Sequence, residues 1–369
     1  MSQKVKALII SFILLSVILI QGSEVQSTAS NGRYWAIKVH DHNIVSEIGK
    51  YTYSFISKAR VQVVEFRENY SYDTIPSHLK QYLRPFNPDS LVAYENNYST
   101  SSHISQFFSR MKAKAEIKEV LKSITPDSFY NRVKSITDFG PRTNTKAIES
   151  FVKEFEKMGY ETTHNFNIEA WKKGKVDSSK FVIVMGHMDT VARTMGADDN
   201  ASGAAGVLEI ANALKDFESD YSILFMLTED EEVGLVGAER YVRYLEKNGL
   251  KKDVLFVVNM DMIAYNSNGV VDLETEDQFE DLAKWMATLT TQYTALTPNI
   301  MLDAWASDHV PFIQAGIETL LTIEHWNTHT PCWHKACDTL DSINPTFGAE
   351  IVKLNLAATI EKAKVKIKP

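Results

Sequence analysis

The sequence predicts an α/β fold, a doubly wound, mostly parallel mixed sheet flanked by helices, with a small α+β segment ahead of it. Three observations carry this expectation. Short runs such as Val182-Ile183-Val184-Met185 and Ile223-Leu224-Phe225-Met226-Leu227 are apolar at every position, the pattern of strands buried on both faces of a parallel sheet. Helical apolar periodicity alternates with those runs, as βα units require. Carboxylates and a histidine collect where the apolar runs stop, and open α/β sheets bind their ligands beyond the carboxyl ends of their strands.

At the start of the chain, Lys4 and Lys6 precede an apolar run from Ala7 to Ile20, after which small polar residues follow. This is the pattern of a secretory signal over residues 1–27. The run is shorter than the roughly 20 residues of a spanning helix, so cleavage rather than stable membrane insertion is expected. A soluble product, secreted or periplasmic, follows from that. Residues 28–112 differ in character, with aromatic strand-like runs at Tyr34–Val39 and Arg60–Phe66. They read as a small α+β unit, either a propeptide or an accessory domain. Within it, Asn96–Ser102 is polar and turn-rich, a natural linker and a site for proteolytic nicking.

From Ala113 to residue 369 the βα alternation begins. Ile117, Val120 and Leu121 keep helical spacing, as do Ile148, Phe151, Val152 and Phe155 before the stop signal of Gly159. Helices are expected over Ser202–Phe217, Gly237–Asn248 and Asp277–Tyr293, and a last one from about Phe347. Strands are expected at Val254–Val258, ending near Asp261, and at Leu320–Ile323. Composition is that of a globular protein, 44% hydrophobic and 23% charged, and a formal net charge of -8 argues against nucleic acid as a partner. The two cysteines, Cys332 and Cys337, lie close together in a chain expected to be exported, which favours a local disulfide.

His187, Asp198, Glu231 and Glu232 all fall at strand ends and are expected to face one crevice. Imidazole and carboxylates are the donor set that zinc accepts, so the inference is a metal site.

Gly186-His187-Met188-Asp189, Gly196-Ala197-Asp198-Asp199-Asn200-Ala201-Ser202-Gly203, Glu231-Glu232-Val233-Gly234-Leu235-Val236-Gly237, Asn259-Met260-Asp261-Met262 and His334-Lys335-Ala336-Cys337-Asp338-Thr339-Leu340 stand in this order along the chain. Together they resemble the M28 metallopeptidases, in particular the secreted bacterial leucyl-type aminopeptidases. The resemblance covers roughly the last two thirds of the chain. It implies two zinc ions bridged by Asp198 and a water, one ion also taking His187 and Asp261, the other Glu232 and His334. It further implies that Asp189 orients His187, that Glu231 is the general base, and that a cis peptide joins Asp198 to Asp199. The implied substrates are peptides with a free N-terminus. His329 also fits the last histidine motif of the family, but lacks the Asp-Thr that follows His334. Asp308 is expected either to fix a loop beside the substrate or to cap the helix leading to Phe312. The segment from about Thr28 to Ser102 is expected to be a propeptide covering the cleft until the linker is cut, as the resemblance implies for such a leader. Two other readings stay open: a glutaminyl cyclase-like acyltransferase on the same fold, which Trp333 and Asp308–Phe312 favour, and a non-catalytic binding domain, which predicts lost ligands.

Overall fold

The computed structural model describes residues 115–265 and 268–367, together with 34–37, 50, 52–58, 61–66, 74–80 and 83–86. The expected signal at 1–27 and the linker at 96–102 lie outside the described residues. The chain divides into two compact units, Met1–Lys112 and Ala113–Pro369. In the first unit, β1 (Tyr34–Ile37), β2 (Thr52–Lys58), β3 (Val61–Phe66) and β4 (Leu83–Phe86) form an antiparallel sheet in the order β2-β3-β1-β4, with a short helix α1 (Ser77–Lys80) before β4.

The second unit opens with helix α2 (115–121), then α3 (Pro126–Thr137) and α4 (Thr145–Lys157). Thr125 and Ser128 close a reciprocal capping box at the start of α3, and Asn144 caps α4 through the Ala147 amide. Ala147, Phe151 and Phe155, spaced by four, line the buried face of α4, and Gly159 ends it with a φ of 89° that a glycine adopts freely.

An eight-stranded sheet follows, in the order β12-β11-β13-β10-β7-β9-β6-β5. Its strands in chain order are β5 (Glu161–Asn165), β6 (Asn167–Lys172), β7 (Asp177–His187), β8 (Glu218–Ser219, outside the large sheet), β9 (Tyr221–Thr228), β10 (Val254–Met260), β11 (Val270–Glu274), β12 (Thr297–Met301) and β13 (Thr319–Glu324). The four central strands, β13, β10, β7 and β9, are parallel, whereas β5, β6 and β11 join by antiparallel pairing. Helices α5 (Ala201–Leu214), α6 (Val236–Lys247), α7 (Glu280–Tyr293), α8 (His309–Gln314) and α9 (Pro345–Ala363) cover it, and β14 (Val365–Lys366) pairs with β8.

Alternation along β7 explains why its sequence is apolar throughout. Val182 and Val184 pack with α3, α5 and α9 on one face, while Phe181, Ile183 and Met185 pack with α6 and Phe312 on the other. Each such side chain removed from water contributes about 1.5–3 kcal/mol, so a polar residue at any of these positions opposes one layer or the other. Among the described residues, no helix is long and apolar enough to cross a membrane.

Strands β5, β6, β11 and β12 have no counterpart in the sequence reading. β5 and β12 lie at the two sheet edges with mostly exposed or half-buried residues, so neither offers an apolar run. The helices over 201–214, 236–247, 280–293 and from 345, and the four central strands, lie where the sequence expects them.

Candidate metal centre

The expected site residues gather at the carboxyl ends of the central strands. His187 is the last residue of β7, Asp261 follows β10, Glu231 and Glu232 lie in the turn after β9, and His334 belongs to the loop after β13. The first turn of α5 is pressed onto this edge. A Cβ on Gly203 would lie 2.1 Å from the Met260 carbonyl oxygen, so only glycine permits the approach. Asn200 fastens the junction: its amide donates to the Met260 carbonyl at 2.9 Å, and its oxygen accepts from the Gly203 amide at 2.8 Å.

Two donor sets share one carboxylate. His187 Nε2 lies 3.2 Å from Asp261 Oδ1 and 3.4 Å from Asp199 Oδ1. His334 Nε2 lies 2.9 Å from Glu232 Oε2 and 3.2 Å from Asp199 Oδ2. Asp199 therefore turns one oxygen to each imidazole. Donor atoms of His187, Asp199 and Asp261 lie within 4.8 Å of one another, and so do those of Asp199, Glu232 and His334.

This corrects the ligand expected at Asp198. Its Oδ1 accepts the Ala264 amide at 2.8 Å and its side chain faces the buried Glu324, away from both histidines. Two carboxylates hydrogen-bond only when one keeps a proton, and burial together with Asp198 pushes Glu324 up to about 11. The physical reason for the one-residue shift is the anchoring of the backbone. Asp338 accepts the amides of Asp198 and Asp199 at 2.8 and 3.0 Å, which points Asp198 inward and leaves Asp199 toward the cleft. The cis peptide likewise joins Asp199 to Asn200, not Asp198 to Asp199. Nothing in the tandem Asp-Asp distinguishes the two by residue type.

Asp189 makes two kinds of contact. Its Oδ1 lies 3.5 Å from His187 Nδ1, and its two oxygens accept the Glu231 and Glu232 amides at 3.3 and 3.2 Å. It holds the imidazole and the acidic turn together. Glu231 Oε2 stands 3.9 Å from His187 Nε2, beside the two sets that share Asp199. Cys332 and Cys337 form a disulfide, with a Cα separation of 5.2 Å, whose loop encloses His334.

Three other histidines have other partners: His309 contacts Glu274 at 3.1 Å, His325 contacts Asp272 at 2.8 Å, and His329 stacks on Trp326. Asp308 does not cap its helix; buried, it accepts the Thr228 hydroxyl at the end of β9. An aromatic series runs from the exposed Trp305 through Trp326 to Trp333, whose ring lies 4.5 Å from that of His334.

Electrostatics make the centre a cation site. Carboxyls outnumber imidazoles, so burial and mutual repulsion push Glu231 up to about 9 and Glu232 to about 7. Against the cost of its burial, Asp199 is held ionised by His187 and His334. Among the described residues, buried Glu232 Oε1 has no hydrogen-bond partner. Imidazoles, carboxylates and an unpaired carboxylate oxygen fit a divalent metal of the zinc type.

Comparison with known proteins finds aminopeptidases. Aminopeptidase YwaD of Bacillus subtilis (strain 168) is 30% identical over 210 residues, 55% of this chain and 46% of that protein. A solved structure named as a zinc aminopeptidase from Bacillus subtilis is 29% identical with a TM-score of 0.50, covering 55% of this chain and 51% of its own. The LapA aminopeptidase of Legionella pneumophila shares the fold at 19% identity and a TM-score of 0.62, over 90% of this chain and 98% of that one. The chain spans about half the length of the curated relatives it matches. Residues 167–359, which carry every ligand candidate described above, match the model of Peptidase family M28, and the chain belongs to that family.

Proposed function

We propose that the chain is an exported zinc aminopeptidase that hydrolyses the first peptide bond of peptides with a free N-terminus. The observation that carries this reading is the pair of donor sets joined by Asp199, with Glu231 beside them. His187, Asp199 and Asp261 would hold one zinc ion, and Asp199, Glu232 and His334 the other. When bound, zinc supplies Lewis acidity, polarising the peptide carbonyl and lowering the pKa of the attacking water towards about 7.

Glu231 takes the proton from that water as its oxygen bonds to the carbonyl carbon. It then delivers the proton to the amine nitrogen as the C–N bond breaks. Next to bound cations Glu231 ionises more readily than in the metal-free chain, which gives it the form a base needs. Asp189 keeps His187 oriented and holds the 231–232 turn so that neighbouring glutamates divide the base and ligand roles. The series Trp305–Trp326–Trp333 gives the substrate an apolar wall beside His334. The name of YwaD and that of the Bacillus subtilis structure, a zinc aminopeptidase, support both parts of the reading.

We read residues 1–27 as the export signal and about 28–102 as a leader removed by cutting near 97–102. Limited proteolysis of the chain begun at Thr28 should raise turnover while zinc content stays fixed; equal activity before cutting would rule out the leader. The test of the activity is a screen of aminoacyl-anilides, N-blocked peptides and N-terminal glutaminyl peptides, with and without chelator. Release of amino acids from unblocked substrates only, lost with chelator and restored by zinc, is expected. Ring closure of the glutaminyl peptide would instead identify a cyclase.

A further inference from the structure

Arg142 is a fully buried cation, and among the described residues none of its hydrogen bonds goes to a carboxylate. It lies in the turn between α3 and α4. Its guanidinium donates to five main-chain carbonyls: Met188 at 2.5 Å, Met195 at 2.8 Å, Gly140 at 3.0 Å, and Asp189 and Gly196 at 3.3 Å. Apart from Gly140, these carbonyls bracket one loop. Met188 and Asp189 follow His187 directly, and Met195 and Gly196 lead into Asp199. One planar fork therefore grips both ends of the segment that joins two proposed metal ligands.

Four further observations agree. A Cβ on Gly196 would lie 2.7 Å from the guanidinium and 2.4 Å from the Asp199 carbonyl, so the loop is built to let the cation in. Arg142 keeps a left-handed backbone, φ 63°, a conformation more readily adopted by glycine or asparagine. Burial lowers its pKa to about 10, while Asp199, Asp189, Asp338 and Glu232 draw it the other way, so it stays charged at neutral pH. The Thr190 hydroxyl adds a second tie across the same loop, to the Asp199 carbonyl at 2.7 Å.

We propose that Arg142 is a positioning residue of the metal centre: by clamping the 188–196 loop it sets the separation of His187 and Asp199, and with it the affinity for zinc. This rests on the zinc reading given above. A lysine in its place keeps the charge but lacks the fork, so it cannot hold both ends of the loop.

The test uses the full chain, with zinc affinity measured by competition against a chromophoric chelator and melting measured on the metal-free protein. The variants are R142K and, as a control for general destabilisation, the core substitution Phe129→Leu. R142K is expected to lose ~10–100-fold in zinc affinity, the range of outer-shell changes. Phe129→Leu should lower the melting temperature and bind zinc like the wild type. Wild-type affinity in R142K overturns the proposal, as does a loss in Phe129→Leu that matches R142K at equal melting temperature. Failure of R142K to fold also overturns it, since the guanidinium would then hold the domain rather than the ligands. A wild-type chain that binds no zinc sinks the metal reading itself, and this inference with it, which is a different result from wild-type binding with an unaltered R142K.

Discussion

The two donor sets share Asp199 but are held in different ways. His187 and Asp261 sit on adjacent parallel strands, with side-chain exposures of 1% and 9%, and the sheet itself fixes their separation. His334 stands on a loop with its side chain 41% exposed, and its position depends on the Cys332–Cys337 bridge and on the Asp338 contacts to the 198–199 amides. A ligand at a strand end inherits its order from the hydrophobic layers below. A ligand on a loop needs dedicated ties.

The severest break of this arrangement is Asp199→Ala, which removes the carboxylate common to both sets. Zinc affinity should fall by more than the ~100-fold that outer-shell changes reach, and both ions should be lost in elemental analysis. Asp198→Ala should by comparison retain both ions, and loss of zinc from it would restore Asp198 as the ligand. Next comes Glu231→Gln, expected to lower kcat by ~10²–10⁴-fold with zinc content unchanged. Departure of the metal from that variant would move Glu231 into the ligand shell.

A smaller effect separates the two sets directly. Stepwise chelation should strip the His334 set before the His187 set, so His334→Ala should leave one ion bound and His187→Ala should weaken the tighter step. Equal loss in both variants would erase the distinction between strand-end and loop ligands. The mildest is the pair Cys332→Ser and Cys337→Ser. On the chain-entropy relation a loop this short stabilises the fold by about 2 kcal/mol, against about 3 kcal/mol for a 15-residue loop. The expected result is a melting temperature only about 4–8 °C lower for the metal-free protein, with weaker zinc binding at His334. A large drop in melting temperature with unchanged zinc affinity would make the bridge a brace of the fold instead.

The same contrast explains what was legible from residues alone. Strands buried on both faces announce themselves by composition and by where their polar ends must lie, so His187, Glu231 and Glu232 were readable as one cluster together with Asp198, while Asp261 entered as a ligand through the family resemblance. The edge strands β5 and β12 carry too few buried side chains to give a pattern. Asp198 and Asp199 are the same residue type one step apart, and what separates them is a carboxylate 139 residues further along the chain, at Asp338. Arg142 gave no signal either, because a guanidinium that serves carbonyls needs no partner residue type in the sequence. Such long-range backbone contacts leave no local periodicity to read.

Chain order also governs when the centre comes into being. The Asn200 clamp on the Met260 carbonyl joins residues 60 apart, and the contacts that draw Asp198 and Asp199 toward Asp338 span 140 and 139. During synthesis from the N-terminus, His187 and Asp199 emerge long before Asp261, and His334 emerges only after β13 has been made. A nascent chain therefore offers scattered single donors, and the shared carboxylate acquires its second imidazole only when the last loop docks. Zinc would then bind the finished fold and not its precursors, so metal uptake reports completion of the fold, and free zinc at 100 times its dissociation constant would add about 2.7 kcal/mol to the stability of the completed state. On the zinc reading, loading would fall at the end of biogenesis, after the chain has closed on itself.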